Sequence, residues 1–158
     1  MAHQYRASLK WTRGGAAFTD QRYSRGHTWS FDGGVTVPAS SSPLSVKLPY
    51  SVAEAVDPEE AFVAAVASCH LLTFLYIAAK QGFVVEEYAD DAVGEMTKNE
   101  RGKLWVSRVT LSPAITFTGE KRPSAEQLDE LHHLAHEECF IANSVKSEVV
   151  IQGAMSFA

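Results

Sequence analysis

Cys69 and Cys139 are the two thiols in this 158-residue chain, and a thiol can serve as nucleophile, redox centre or soft metal ligand. A thiol within an apolar helix is ordinarily an inert small hydrophobe. What singles out Cys69 is the row it belongs to. Glu59, Phe62, Val66, Cys69, Thr73 and Tyr76 follow one another at steps of three and four, so a carboxylate and a thiol share one stripe of a helix. Ten positions separate Glu59 from Cys69, about 15 Å along a helix axis, too far for a hydrogen bond within one chain. If both serve one site, the direct solution is a two-fold dimer in which two copies of this helix cross antiparallel. An ordinary core helix would carry the same apolar residues.

Six histidines raise a metal reading, because His70 beside Cys69 and His136 three residues before Cys139 offer two imidazoles and two thiolates to zinc. Adjacent Cys69 and His70 project about 100° apart on a helix, and no C-x-x-C spacing is present, so the metal reading is disfavoured. His132, His133 and His136 are expected on a second helix, facing solvent or in its cap region, without catalytic duty. A thiol hydrolase with a histidine base is weakened by the same geometry, since His70 points off the Cys69 stripe.

The elements that must position these groups can be read locally. Asp57 as N-cap, Pro58 at the first helical position and Glu60 at N3 open a helix that runs to about Gln81 and stops at Gly82. Its apolar residues nearly encircle it, which predicts burial on most sides. Ser124 and Gln127 form a second capping box, followed by helical spacing through Leu128, Leu131, Leu134 and Ala135. Before the first helix, HQYRASLKWT alternates as a strand with Tyr5, Ala7, Leu9 and Trp11 inward, and a second strand runs into Asp32-Gly33-Gly34. The Ser- and Pro-rich VPASSSPLSVKLPYS reads as a surface loop. Between the helices, two alternating runs flank Asn99-Glu100-Arg101-Gly102 as a hairpin, with Trp105, Val109 and Leu111 on one side. SEVVIQGAMSF closes the chain as a strand. The order β-β-α-β-β-α-β predicts an α+β fold, helices packed on antiparallel sheet.

Composition narrows the class. With 46% hydrophobic and 21% charged residues the chain is expected to form a single domain over residues 1–158. A net charge of −5 with no long basic run disfavours nucleic acid as a partner. The polar, alternating first residues and the lack of an apolar run of about 18 residues predict a cytoplasmic protein with no membrane partner. The acidic Glu86, Glu87, Asp90 and Asp91 are expected at a solvated strand edge.

DPEEAFVAAVASCHLL resembles the [N/D]-P-E-x-[L/F]-x-x-A-x-x-x-C helix of the OsmC/Ohr peroxidases, and AHEECFIANSVKSEVVI resembles their A-x-x-x-C-x-[V/I]-[S/A]-x-x-[L/V]-K-x-E segment. YSRGHTWSFDGG is similar to the R-G-x-x-x-S stretch that carries a functional arginine in that family. The resemblance runs in order through the whole chain. It implies antiparallel sheets wrapped around two long central helices in an intertwined homodimer. It implies a thiol peroxidase with no bound cofactor, reducing organic hydroperoxides at the expense of a lipoyl-type dithiol reductant, a lipoylated protein among the candidates.

Residue by residue, the resemblance makes Cys69 the peroxidatic cysteine, which must react as a thiolate and needs a neighbouring positive charge. It makes Arg25 the source of that charge and Glu59 the carboxylate that orients Arg25 through a bidentate ion pair. Cys139 becomes the resolving cysteine, forming an intramolecular disulfide once Cys69 is a sulfenic acid. Arg22 and Arg13 are rivals for the role of Arg25. His27, two residues beyond Arg25 on the same side of a strand, is a candidate to line the substrate pocket together with Phe62 and Phe140. Phe74 and Tyr76 add apolar surface near the site, which favours organic hydroperoxides over hydrogen peroxide. The chain departs from the family in His70, where an apolar residue is usual, and in Phe140, where proline is common. A non-catalytic binding protein on the same scaffold is the alternative to the peroxidase and hydrolase readings.

Overall fold

The computed structural model describes residues 2–158, which divide into two compact units, one ending at Ala61 and one running from Phe62 to Ala158. The fold is α+β. In the first unit, β1 (Ala7–Lys10), β2 (His27–Phe31) and β3 (Thr36–Ala39) form an antiparallel sheet in that order. The β2–β3 turn is the predicted Asp32-Gly33-Gly34, with Gly34 at φ 87°, a conformation that costs a side chain dearly. β3 falls in the segment expected to be loop. It pairs with β2 because His27 to Ser30 find partners from Ala39 back to Thr36, and Pro38 is accommodated on an edge strand. The expected inward face of β1 is also revised: all four of its residues are exposed, as are Tyr5 and Trp11.

Helix α1 (Pro58–Lys80) starts as its sequence predicts. Asp57 Oδ1 accepts from the Glu60 amide at 2.8 Å, and Glu60 Oε2 accepts from the Asp57 amide at 3.2 Å, so two otherwise orphaned N–H groups are satisfied reciprocally. At the other end Gly82, at φ 81°, lets its own amide and that of Phe83 turn back to the Ala79 and Ala78 carbonyls. By length and mean hydropathy, 2.0, α1 meets the measure of a membrane span, although serine, cysteine, histidine and threonine interrupt its apolar run. Only Val66, His70, Phe74, Ile77 and Ala78 are buried, while Leu72 and Tyr76 are exposed, so the expected burial on most sides is not met within one chain.

In the second unit β4 (Val84–Asp90), β5 (Val93–Lys98), β6 (Leu104–Leu111), β7 (Pro113–Thr118), α2 (Ala125–Glu138), β8 (Glu148–Ile151) and β9 (Ala154–Phe157) follow. The hairpin around Asn99–Gly102 is present, yet each of its arms breaks, at Asp91–Ala92 and at Ser112. The C-terminal run breaks at Gln152–Gly153. Three long ribbons thus bend at one level and produce two three-stranded sheets, β4-β7-β9 and β5-β6-β8. Bonds across the bend hold it: Asp90 Oδ1 accepts from the Ser112 amide at 2.7 Å, and the Gln152 amide donates to Leu111 O at 2.8 Å. β8 on β6 and β9 on β7 run parallel, so the sheets are mixed where antiparallel ones were expected.

One core forms where Phe74, Ile77 and Ala78 of α1 meet α2 and the inward side of β7, Ile115 and Phe117. A second lies where Val66 meets Val109 and Leu111. A bulge between Glu95 and Met96 shifts the β5–β6 register, and it is Val106 that joins this core in place of the expected Trp105. α2 begins with the predicted box: Ser124 Oγ accepts from the Gln127 amide, and Gln127 Oε1 accepts from the Ser124 amide. Glu86, Glu87 and Asp91 are exposed on or beside edge strand β4.

Candidate functional site

Cys69 occupies the middle of α1, half-buried, and Cys139 is the C-cap of α2, only 1% exposed. α2 ends at Cys139 because the backbone there turns extended, at φ −71° and ψ 111°. The following turn is pinned by Asn143, whose Nδ2 donates to Glu137 O at 2.7 Å and to Cys139 O at 3.1 Å. Two amides of this turn meet the two sulfurs. The Ile141 N–H donates to Cys69 Sγ at 3.5 Å, and the Ala142 N–H donates to Cys139 Sγ at 3.4 Å.

The two thiols are not equivalent. Burial pushes the Cys139 thiol up to about 11, and the neighbouring Cys69 adds to the effect. Cys139 therefore stays protonated at neutral pH, while Cys69 Sγ accepts from a backbone amide. Cys69 also opens on a cavity of about 900 Å³ walled by Leu72, Tyr76, Ile77, Leu134, Phe140 and Ile141. Of the residues expected in a substrate pocket, Phe140 lines this cavity and is 78% exposed. Phe62 does not: its position on α1 turns it toward the Val66–Val109–Leu111 core. Phe74 is fully buried in the other core.

His70 departs furthest from expectation. It is 1% exposed, and its Nε2 lies 3.1 Å from Nδ1 of His132, which is 5% exposed and was expected in solvent. The ring planes are nearly parallel, at 16°, with centroids 5.3 Å apart. Phe74 packs on His132 with centroids 4.7 Å apart. Burial drives both rings down to about 4, with the neighbouring His132 and His136 adding to the effect on His70. Both are neutral at pH 7, and His70 is committed to His132. His133 is exposed, 3.3 Å from Glu137, and His136 is half-buried.

In the first unit, Arg25 and Glu59 line one cavity of about 580 Å³ with Trp11, Phe18, Tyr23 and His27. The expected bidentate ion pair is not formed. Among the described residues the ion pairs join Arg108 to Glu95 and Glu148, and His133 to Glu137. Arg25 Nη1 donates instead to the carbonyls of Gln21 and Tyr23, and its guanidinium lies 4.0 Å from the Tyr23 ring centroid. Gln21 supplies its carbonyl from a left-handed conformation, φ 63°, that a glutamine rarely adopts. Of the rival arginines, Arg22 borders an adjoining cavity that Arg25 also borders, and Arg13 lies exposed in a glycine turn. His27 Nε2 accepts from Trp29 Nε1 at 2.9 Å, which makes Nδ1 the protonated nitrogen, donating to Arg25 O at 2.8 Å. With both nitrogens engaged, His27 fixes the backbone at Arg25.

Sequence reasoning missed Asn143, His132 and the Trp11, Phe18 and Tyr23 cluster. For Asn143 a signal existed, since asparagine favours side-chain bonding to nearby backbone in turns. The aromatic cluster closes through a loop whose path no periodicity marks.

The family model for OsmC-like proteins matches residues 51–153. The chain is 53% identical to an OsmC-like protein of unknown function from Vibrio cholerae, with a TM-score of 0.94 over 97% of this chain and 100% of that one. An organic hydroperoxide resistance protein from Elizabethkingia anophelis, 15% identical, gives a TM-score of 0.67 over 100% and 99% of the two chains. OhrB of Bacillus subtilis, an organic hydroperoxide resistance protein 16% identical, gives 0.60 over 98% of each. No curated protein matches.

Proposed function

Because this chain belongs to the OsmC-like protein family, we propose that it is a thiol peroxidase that reduces organic hydroperoxides through Cys69 and Cys139. The observation that carries this reading is the asymmetric thiol pair. Cys139 is buried and protonated, and Cys69 accepts from the Ile141 amide and opens on an apolar cavity. The Cys69 thiolate attacks the distal oxygen of R–O–OH. The O–O bond breaks, the alkoxide leaves as ROH on taking a proton, and Cys69 becomes a sulfenic acid. The Cys139 sulfur then attacks the Cys69 sulfur, the sulfenate oxygen leaves as water, and a disulfide forms. A dithiol of the lipoyl type returns two electrons and two protons. The fold neighbours named for organic hydroperoxide resistance agree with this reading.

Arg25 and Glu59 serve as the cation that favours the thiolate and the carboxylate beside it. A homodimer built on α1 would join Glu59 of one chain to Cys69 of another. Leu72 and Tyr76, 64% and 67% exposed on α1, are the apolar surface such a dimer would cover. The hydrolase reading loses its histidine base, since His70 is buried against His132.

Cumene hydroperoxide consumption with dihydrolipoamide as reductant tests the function. Cys69→Ser should abolish it, while Cys139→Ser should give one turnover and a trappable sulfenic acid. Unchanged turnover in Cys69→Ser, or ester cleavage without peroxide consumption, would overturn the reading.

A further inference from the structure

Cys69 and His70 are neighbours on α1, and the groups they meet lie on one face of α2. A single helical step sets the two about 1.5 Å apart along the α1 axis and about 100° apart around it. His132 and Cys139 are seven positions apart, two turns, so they share one side of α2 at a spacing of about 10.5 Å. His70 meets His132 at 3.1 Å. Cys69 and Cys139 accept from consecutive amides of the turn after α2, those of Ile141 and Ala142. Both contacts therefore reach α1 at one level, on two flanks. Points 100° apart on a cylinder about 11 Å across are separated by about 8 Å, close to the span on α2. The helices cross steeply, and α2 grips α1 around its girth.

The imidazole contact constrains α1 in a way its apolar contacts do not. Phe74 and Ile77 resist separation of the helices, but burial is non-directional and tolerates a small rotation. A nitrogen-to-nitrogen hydrogen bond fixes distance and direction. Turning α1 by about 10° moves a group on its surface by about 1 Å. That stretches the His70–His132 bond and shifts Cys69 against Cys139 alike. Gly153 sets the sense of the bond. His132 Nε2 lies so close to the Gly153 backbone that a Cβ there would overlap it, and it has no partner among the described residues. A proton on Nε2 would meet the glycine C–H, so Nε2 is the bare nitrogen and His132 Nδ1–H donates to His70 Nε2. What α2 requires of position 70 is an acceptor.

We infer that His70 and His132 are positioning residues for the thiol pair: their hydrogen bond fixes the rotation of α1 about its own axis and so holds Cys69 in register with Cys139. Register raises the effective concentration of one thiol at the other and favours their disulfide. One consequence rests on the peroxidase reading: the bond then speeds the resolving step. There the S–S bond forms, the S–O bond of the Cys69 sulfenic acid breaks, and the Cys139 proton leaves with that oxygen as water.

Equilibration of the full-length protein with oxidised and reduced dithiothreitol measures register without peroxide, two electrons and two protons passing from the thiol pair to the reagent. His70→Leu removes the acceptor at similar volume and should lower the equilibrium constant for the Cys69–Cys139 disulfide about fivefold or more. His132→Phe should do the same from the other helix, and the double variant no more than either, because one bond is lost in all three. His70→Gln offers an amide oxygen near the place of Nε2 and should bring the constant back to within about twofold of the parent value. Ser124→Ala, which weakens the far end of α2, should leave it unchanged. An unchanged constant in His70→Leu would overturn the inference, as would a fall in His70→Gln as deep as in His70→Leu. So would an equal fall in Ser124→Ala, since the constant would then follow stability alone. Should His70→Leu not fold, His132→Phe set against Ser124→Ala decides. A protein inert toward hydroperoxides leaves this equilibrium in place, and an equilibrium indifferent to His70 leaves peroxide turnover untouched.

Discussion

His70 Nε2 and His132 Nδ1 face each other at 3.1 Å inside the second unit, one ring on each helix, and the remaining nitrogens, His70 Nδ1 and His132 Nε2, are buried without a partner. One proton must lie between the two nitrogens, so the contact holds only while at least one ring is neutral.

Acid should therefore loosen this protein in a defined window. Both rings titrate near 4 in the folded chain, mainly because of burial, against 6.5 in an unfolded one. The groups bearing on them are His136, which adds to the lowering at His70, and Asp129, which opposes it at His132. A depressed folded value gives stability that is complete above about pH 6.5 and lost as pH falls toward 4, where the unfolded chain binds the extra protons. Each ring should contribute on the order of 3 kcal/mol between these limits. Urea unfolding at pH 7.5 and pH 5 measures the loss. In His70→Phe, whose ring holds the volume, the pH dependence should flatten; an unchanged slope would assign it elsewhere.

Gly153 sits where the C-terminal ribbon bends, and a Cβ there would lie 2.3 Å from His132 Nε2. Gly153→Ala should cost about 1–3 kcal/mol by overpacking. The penalty should shrink in a His132→Ala background, and a double-mutant cycle in urea measures that coupling.

Asn143 ties the turn after Cys139 to the end of α2 by two hydrogen bonds. Asn143→Ala should cost about 1–2 kcal/mol. It should also slow closure of the Cys69–Cys139 disulfide, leaving more sulfinic acid on Cys69 after peroxide treatment. Mass spectrometry of the Cys69 peptide reads the ratio.

Ser124 caps α2 by accepting from the Gln127 amide. Ser124→Ala should lower stability by about 1 kcal/mol, and peroxide turnover should be unaffected, because the cap lies at the far end of α2 from Cys139.

What could be read from the sequence is what is local. The reciprocal caps Asp57 with Glu60 and Ser124 with Gln127 span three residues each, and both form as read. The stop at Gly82 is equally local. Trp105 was assigned to a buried face by strict alternation, and a bulge that leaves Ser107 of the same strand unpaired undid it; nothing in the residue types around Ser107 announces that bulge. The parallel pairing of β8 with β6 joins residues 40 positions apart, Arg108 with Glu148. His132 was placed in solvent because a helical histidine usually is, and its burial depends on Gly153 leaving room from another strand. At the candidate site, the cysteines and Phe140 were legible in type and spacing. The Arg25 contacts were not, since they run through the carbonyl of Gln21 in a left-handed turn.

The parallel course of β8 bears on what oxidation can transmit. The segment from Phe140 to Ser147 is anchored at both ends, by α2 in one core and by β8 lying along β6. A disulfide formed at Cys139 can draw on side-chain rotation and a few torsions in that turn, with no free arm to swing. Oxidation should then act as a latch without a lever: amide exchange would slow around residues 139–144 and stay level in β6 and β8. Any message about redox state must leave the protein through the surface beside Cys69, where Phe140 stands exposed, rather than through movement of the sheets.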